Sequence, residues 1–159
     1  MQAGSQNSLL DFYLLPVSIE INLNGGDMVN EPRHKPQILI VEDDPTTCEL
    51  MAQLIGNENH WEPTTLNCGK DAIEAWNDGH FDVILMDLRM AEMDGIEATK
   101  KIREHERRSG RKRTPIIAFT GLVSNGDRQE CVDAGFDDFI AKPASLQKII
   151  QVIDRYVFQ

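Results

Sequence analysis

Short apolar segments alternate with longer segments of helical apolar spacing from Gln37 to the end of the chain. The apolar segments are ILIV, FDVILMD, PIIAFTG, a short one within DDFIAKP and a weaker candidate, WEPTTLN, which Pro63 demotes to an edge strand or an irregular one. Near-continuous apolar strands are typical of sheets that are buried on both faces. Five such strands alternating with five helical segments predict an α/β fold, with a doubly wound five-stranded parallel sheet and helices on both faces.

Two helices show clear boundary or packing signals. In DPTTCELMAQLIG, Asp44 is placed to cap the helix, Pro45 to occupy its first position and Gly56 to end it. The last helix, SLQKIIQVIDRYVF, carries one apolar stripe, formed by Leu146, Ile149, Ile150, Ile153 and Val157.

Residues 1–36 differ from the rest and are interpreted as an N-terminal extension. Within them, VSIEINLN (residues 17–24) alternates apolar and polar residues, which predicts one half-buried strand. GGDMVNEPRHKP has the composition of a linker. The globular domain is therefore predicted to span residues 37–159.

Charge and cysteine content exclude several classes of protein. The net charge of −10 disfavours direct binding to nucleic acid or to an anionic membrane. No apolar run is long enough for a transmembrane helix, and no secretory signal is visible. Three widely spaced cysteines without metal-ligand spacing indicate reduced thiols and a cytoplasmic location. The basic segment KKIREHERRSGRKR is interpreted as a solvated helix end, with an acidic partner or nucleic acid as the alternative.

Polar residues follow the predicted strands where each strand ends. Glu42 and Asp43 follow the first, Asp87 the third, Thr120 the fourth and Lys142 the fifth. Because ligand sites of such sheets lie at the carboxyl ends of the strands, these side chains are expected to converge. Clustered carboxylates suit Mg²⁺, and a carboxylate nucleophile with a lysine and Mg²⁺ suits phosphoryl transfer.

The motifs LIVEDDP, DVILMDLRM, MDG, IIAFTG and FIAKP together resemble the receiver domain of two-component response regulators, which has a flavodoxin-like fold. The resemblance covers Gln37 to about Gln159. It implies that Asp87 accepts a phosphoryl group from a phosphohistidine. It also implies that Glu42, Asp43 and Asp87 hold Mg²⁺ together with the backbone carbonyl of Arg89.

The same resemblance assigns further roles. It implies that Thr120 and Lys142 contact the phosphoryl oxygens, and that Phe139 changes rotamer when Thr120 moves. The chain departs from the family at Ala91, where proline is frequent, and at Gly121, where alanine is usual; the first departure predicts a looser turn and the second a more mobile loop.

The stretch from Thr114 to Pro143 is most similar to receivers of hybrid sensor histidine kinases. This similarity implies a sensor histidine kinase, a histidine phosphotransfer domain or both as partners. It implies a signalling phosphoprotein of the cytoplasm that catalyses only its own phosphorylation and hydrolysis, and is not an enzyme with a separate substrate.

Other interpretations remain open at this point. A phosphatase of the haloacid dehalogenase class also uses an aspartyl-phosphate, but its second aspartate would stand where this chain has Arg89. A flavodoxin-like flavin protein would need a phosphate-binding first loop, whereas EDDP would repel phosphate. A receiver that regulates without phosphorylation is a further possibility. More simply, Glu42, Asp43 and Asp44 could form a solvated loop, and Phe139 could be an ordinary core residue.

Overall fold

The computed structural model describes residues 35–59, 61–121 and 125–158. Strands and helices alternate along this part of the chain, as β1 (Gln37–Val41), α1 (Pro45–Asn59), β2 (Glu62–Leu66), α2 (Gly69–Asp78), β3 (Val83–Met86), α3 (Gly95–Ser109), β4 (Ile116–Thr120), α4 (Asn125–Ala134), β5 (Asp138–Ala141) and α5 (Leu146–Val157). The five strands form one parallel sheet in the order β2-β1-β3-β4-β5. The predicted fold class is therefore confirmed.

Alternate residues of the central strands bury toward opposite faces of the sheet. Ile38 and Ile40 of β1 pack with α1 and α5, whereas Leu39 and Val41 pack with α2 and α3. Trp76 of α2 is 1% exposed, and its indole N–H donates to the Thr114 hydroxyl at 2.9 Å. Burial on both faces explains why these strands are continuously apolar in the sequence.

Helix α1 begins where the sequence predicts but ends later. The Asp44 side chain caps it by accepting a hydrogen bond from the Thr47 N–H at 3.0 Å. The predicted stop at Gly56 is wrong, because the helix continues to Asn59. A Cβ atom at Gly56 would lie 3.5 Å from the Pro63 ring. This glycine costs about 1 kcal/mol of helix propensity, which packing of the helix against β2 offsets.

Helix α5 follows the predicted stripe with one addition. Ile149 and Ile153 are buried, and Leu146 and Val157 are partly buried. Val152, which the predicted stripe omitted, is 0% exposed. The buried face of α5 is thus wider than the sequence pattern indicated.

Strands β2 and β5 form the two edges of the sheet. In each of them, one backbone position that faces away from the sheet has no N–H available for a hydrogen bond to another chain. Glu62 donates its N–H toward β1, to the Pro36 carbonyl at 2.8 Å, so the next residue, Pro63, faces away from β1. Of the two predicted readings, an edge strand or an irregular one, the structure shows the edge strand, where the missing N–H of Pro63 interrupts no hydrogen bond to β1. On β5, the Phe139 N–H donates to the Asp138 carboxylate at 2.7 Å.

The predicted N-terminal strand, residues 17–24, and the boundary at residue 36 fall largely outside the described residues and stay predictions. In the part of the chain that is described, no helix is long and apolar enough to cross a membrane. Cys48, Cys68 and Cys131 are not in disulfides.

Candidate functional site

The predicted site residues meet at the edge of the sheet where the strands end. Glu42 and Asp43 follow β1 and Asp87 follows β3, and one carboxylate oxygen of each lies within 4.8 Å of the others. Glu42 is 5% exposed and Asp87 is 7% exposed, whereas Asp43 is open to solvent. Two of the three carboxylates are thus withdrawn from water, which would be unfavourable without a compensating cation.

Lys142 supplies that positive charge. Its ammonium donates to Asp87 Oδ2 at 2.8 Å and also to Glu42 Oε2. The Lys142 N–H donates to the Thr120 carbonyl at 2.8 Å, which fixes the residue just beyond β5. The following peptide bond, to Pro143, is cis. Lys142 therefore bridges the two buried carboxylates, a contact with Glu42 that the sequence did not predict.

Burial and charge act together on these groups. Burial raises the pKa of Glu42, the Lys142 hydrogen bond opposes that rise, and repulsion from Asp87 adds to it. Burial alone would lower the pKa of Lys142. Its hydrogen bonds to Asp87 and Glu42, and their negative charges, outweigh burial and raise the pKa of Lys142. The ammonium is therefore held in its charged form between the two carboxylates.

Thr120 and Phe139 lie on the same face of the sheet. In the register of β4 and β5, Ala118 is opposite Phe139 and Thr120 is opposite Ala141, so the two side chains project to one side, two positions apart. Thr120 is 1% exposed, and Phe139 is partly buried with the Arg128 guanidinium 5.1 Å from its ring centre. This placement brings both predicted switch residues to neighbouring strands, and their role in switching stays a prediction.

The loop after β3 is tightly turned beside Asp87. Asp87 Oδ1 accepts the Arg89 N–H at 3.3 Å. The Met93 N–H donates to the Ala91 carbonyl at 2.9 Å, and the residue between them, Glu92, has a φ of 66°. A left-handed conformation at such a residue costs on the order of 1 kcal/mol. This hydrogen bond closes the turn that begins at Ala91, and the expectation that alanine makes the turn looser stays a prediction.

The acidic cluster fits a hard divalent cation. Mg²⁺ binds oxygen at about 2.0–2.1 Å, so ligands on opposite sides of the ion are about 4 Å apart. The spacing of the Glu42, Asp43 and Asp87 oxygens, within 4.8 Å of one another, needs only small side-chain rotations to match this. Arg89 lies in the same loop, two residues beyond Asp87.

Comparison with known proteins agrees with this geometry. Residues 38–154 match the family model for the response regulator receiver domain. The chain belongs to the response regulator receiver family. It is 36% identical over 121 residues to hybrid signal transduction histidine kinase G of Dictyostelium discoideum, and these cover 76% of this chain but only 4% of that kinase. The receiver domain thus corresponds to a small part of that protein.

Solved receiver domains superpose on this one. The receiver domain of sensor histidine kinase PA1611 from Pseudomonas aeruginosa is 33% identical with a TM-score of 0.67, covers 79% of this chain and 100% of its own, and was solved with magnesium in its active site cleft. The receiver domain of Ssk1 from Saccharomyces cerevisiae, crystallised with the histidine phosphotransfer protein Ypd1, is 26% identical with a TM-score of 0.71 over 78% of this chain and 90% of that one.

Gly95 is a residue of the receiver site whose importance sequence reasoning missed. It opens α3 with its N–H donating to the Leu88 carbonyl at 3.1 Å. A Cβ atom at Gly95 would lie 2.0 Å from the Asp87 carbonyl oxygen. The motif MDG contains the signal, a glycine at the start of a helix, but the close approach to Asp87 is visible only in three dimensions.

Removing the charge of Asp43 is expected to stabilise the metal-free receiver domain. Asp43→Asn removes repulsion with Glu42 and Asp87, and Asp43 is solvent-exposed, so little packing changes. The melting temperature in EDTA should rise by roughly 1–2 °C. Magnesium should then raise the melting temperature of the wild type but not of the variant. A variant that melts earlier than wild type in EDTA would contradict the expected repulsion.

Proposed function

We propose that this receiver accepts a phosphoryl group from a phosphohistidine onto Asp87, with Mg²⁺ as cofactor. It then signals by a conformational change or passes the group to a histidine phosphotransfer domain. The observation that carries the proposal is the placement of Asp87 between a lysine, 2.8 Å away, and two further carboxylates at the strand ends. This arrangement combines a nucleophile, a cation for the incoming oxygens and ligands for a divalent metal.

The residues divide the chemistry among them. Glu42, Asp43, Asp87 and the Arg89 carbonyl would hold Mg²⁺, which when bound offsets the negative charge of the phosphoryl oxygens. An Asp87 carboxylate oxygen attacks the phosphorus, and the bond from phosphorus to the histidine nitrogen breaks with its electron pair returning to the imidazole. Lys142 exchanges its hydrogen bond with Asp87 for one with a phosphoryl oxygen. The positive charge of Lys142 thus stays next to the negative charge of the phosphoryl group after that group has moved onto Asp87.

The signal would run from Thr120 to Phe139. The Thr120 hydroxyl donates to a phosphoryl oxygen only after phosphorylation, and this draws the loop after β4 toward Asp87. Phe139, on the same face of the neighbouring strand, then turns into the space that opens. A differential interaction of a few kcal/mol is enough to invert such a two-state population.

The proposed partners are a sensor histidine kinase, a histidine phosphotransfer domain or both. Support comes from the similarity to a hybrid histidine kinase and from the likeness to a receiver crystallised with a phosphotransfer protein. The domain would act in the cytoplasm without direct contact to nucleic acid. It would catalyse only its own phosphorylation and the later hydrolysis of its acyl phosphate.

Acetyl phosphate tests this function directly. The receiver should gain one phosphoryl group per chain in magnesium, measured by intact mass, and none in EDTA. It should not turn over p-nitrophenyl phosphate, because Arg89 stands where a haloacid dehalogenase phosphatase has its second aspartate. Steady release of nitrophenol would support the phosphatase instead, and a receiver unchanged in mass by acetyl phosphate and by a phosphorylated phosphotransfer domain would refute the proposal.

A further inference from the structure

Half of the basic residues of this acidic chain lie in one segment that the proposed function does not use. Residues 100–113 hold eight of the sixteen Lys and Arg residues in a chain of net charge −10. These eight are Lys100, Lys101, Arg103, Arg107, Arg108, Arg111, Lys112 and Arg113. The structure shows which of them are neutralised by acidic neighbours and which are not.

Part of this segment lines a groove of about 480 Å³ between α3, the loop before β4 and the end of α4, here called the basic groove. Its cationic lining residues are Lys100, Arg103, Arg107, Arg111 and Arg113. Glu106 and Asp133 are its acidic ones. The groove is large enough for several side chains of a bound segment.

Two of the cations that line the basic groove, Arg103 and Arg113, are already neutralised. Arg103, 7% exposed, donates to Glu106 at 2.7 Å and to Asp137 at 2.7 Å. Arg113 donates to the other oxygen of Asp137 at 2.8 Å. Two guanidinium groups and two carboxylates therefore compensate one another, and this network fixes the shape of the groove.

The other three lining cations keep an uncompensated charge. Lys100 and Arg107 are exposed, and within the described part of the chain neither forms an ion pair. Arg111 donates to the carbonyl groups of Asn77 and Gly79, which carry no full negative charge. Its guanidinium carbon lies 4.3 Å from the centre of the Trp76 ring. Arg111 is therefore held in place before any ligand arrives, which lowers the entropic cost of binding.

Cations elsewhere on α3 are paired. Lys101 contacts Glu97 at 2.7 Å and Arg108 contacts Glu104 at 2.5 Å. Neither residue lines the basic groove. Unpaired charge on this helix is thus concentrated on the groove side, which a uniformly solvated helix end would not show.

We infer that the basic groove binds an acidic segment of a partner protein, with carboxylates reaching Lys100, Arg107 and Arg111. The planar forks of the two arginines match the geometry of carboxylates, and such charge-assisted hydrogen bonds are stronger than neutral ones. Asp133 also lines the groove and offsets part of its positive charge. A few carboxylates of a bound peptide are therefore enough to balance the remaining charge. An acidic peptide of that kind is complementary in charge to the groove.

Nucleic acid fits this surface less well. A phosphate backbone requires a continuous positive track, and Glu106 and Asp133 interrupt this one. The net charge of −10 also repels a long polyanion more strongly than a short peptide that carries fewer charges.

The basic groove lies away from Asp87. Arg103, which lines the groove, donates to the Thr114 carbonyl and to the Asp137 carboxylate. These two residues precede β4 and β5, so the groove is at the edge of the sheet where the strands begin. Asp87 lies at the opposite edge, after β3. A partner held in the groove would therefore leave Asp87 accessible, and the inference does not depend on phosphorylation.

The test uses a fluorescein-labelled oligoglutamate peptide and the full chain at low salt. Fluorescence anisotropy should report binding that weakens as salt rises, and amide shifts should concentrate around Lys100, Arg107, Arg111 and Gly135. The Lys100→Gln/Arg107→Gln variant should bind roughly tenfold more weakly. Lys101→Gln/Arg108→Gln removes the same charge from the same helix outside the groove and should change binding less than about twofold.

Three results would overturn the inference. Equal weakening by both double variants would show a response to net charge alone. Amide shifts confined to other surfaces would place the peptide elsewhere. Binding of an oligothymidylate in place of the peptide, lost in Lys100→Gln/Arg107→Gln, would make the ligand a nucleic acid.

Discussion

Asp87→Asn is expected to abolish phosphorylation while the fold remains intact. The amide has nearly the shape of the carboxylate but is not a nucleophile, so no phosphoryl group should be transferred from acetyl phosphate in magnesium. Lys142 keeps its contact with Glu42 in the variant, so the buried ammonium retains a charged partner. Intact mass should show complete loss of the phosphorylated species, and amide spectra in beryllium fluoride should not shift at Phe139.

Asp94→Asn is the matched control for this experiment. Asp94 caps α3 by accepting the Glu97 N–H at 2.8 Å, and asparagine caps helices about as well. The same chemical change a short distance from Asp87 should therefore leave phosphorylation unaltered. Stoichiometric phosphorylation of Asp87→Asn would show that the acceptor has been assigned wrongly.

Gly95→Ala is expected to cause the largest loss of stability among single substitutions near the site. The added Cβ would lie 2.0 Å from the Asp87 carbonyl oxygen and 2.9 Å from Met86 Cγ. The carbonyl belongs to the backbone at the end of β3, so relief requires α3 to move away from the sheet. Such overpacking costs roughly 3 kcal/mol or more in the free energy of unfolding, measurable by urea denaturation.

Gly121→Ala separates this steric effect from the general effect of replacing a glycine. Among the residues that the structure describes, no atom lies within 4 Å of a Cβ built at Gly121, and its φ is outside the left-handed region. Alanine there should stabilise the domain by about 0.4–1 kcal/mol, because it restricts the unfolded chain. Equal stability of Gly95→Ala and Gly121→Ala would contradict this expectation and would show that the first residue of α3 can shift to accommodate the added Cβ.

The parallel sheet and the meeting of the site residues could be predicted because both follow from local pattern and topology. Apolar runs ending in Glu42, Asp87 and Thr120 are enough to place those residues at one edge of a parallel sheet. Asp44 and Pro63 were predicted correctly because capping and the missing proline N–H are local properties. Helix α1 continues beyond Gly56 because packing against β2 outweighs the low helix propensity of glycine. Packing is not a local property of the sequence, so the true end of the helix could not be predicted.

The charge network on α3 could not be predicted for a similar reason. Arg103 and Glu106 occupy buried positions next to Ile102, where the helical pattern calls for apolar residues. Asp137, the second carboxylate partner of Arg103, is more than thirty residues away from it in sequence. Charged residues on an otherwise apolar helix face are a usable signal of a buried ion pair, but the identity of the partner depends on tertiary structure. The Lys142 contact with Glu42, a hundred residues apart, was missed on the same ground.

The edges of the sheet bear on how copies of this domain behave at high concentration. Unpaired strand edges are templates for intermolecular β-pairing and fibril growth. On β2 the outward position at Pro63 has no N–H, and on β5 the outward Phe139 N–H is already bonded to Asp138. A neighbouring copy that paired with either edge could not continue its ladder of backbone hydrogen bonds past Pro63 or Phe139. Concentrated solutions of the folded domain should consequently resist edge-to-edge aggregation.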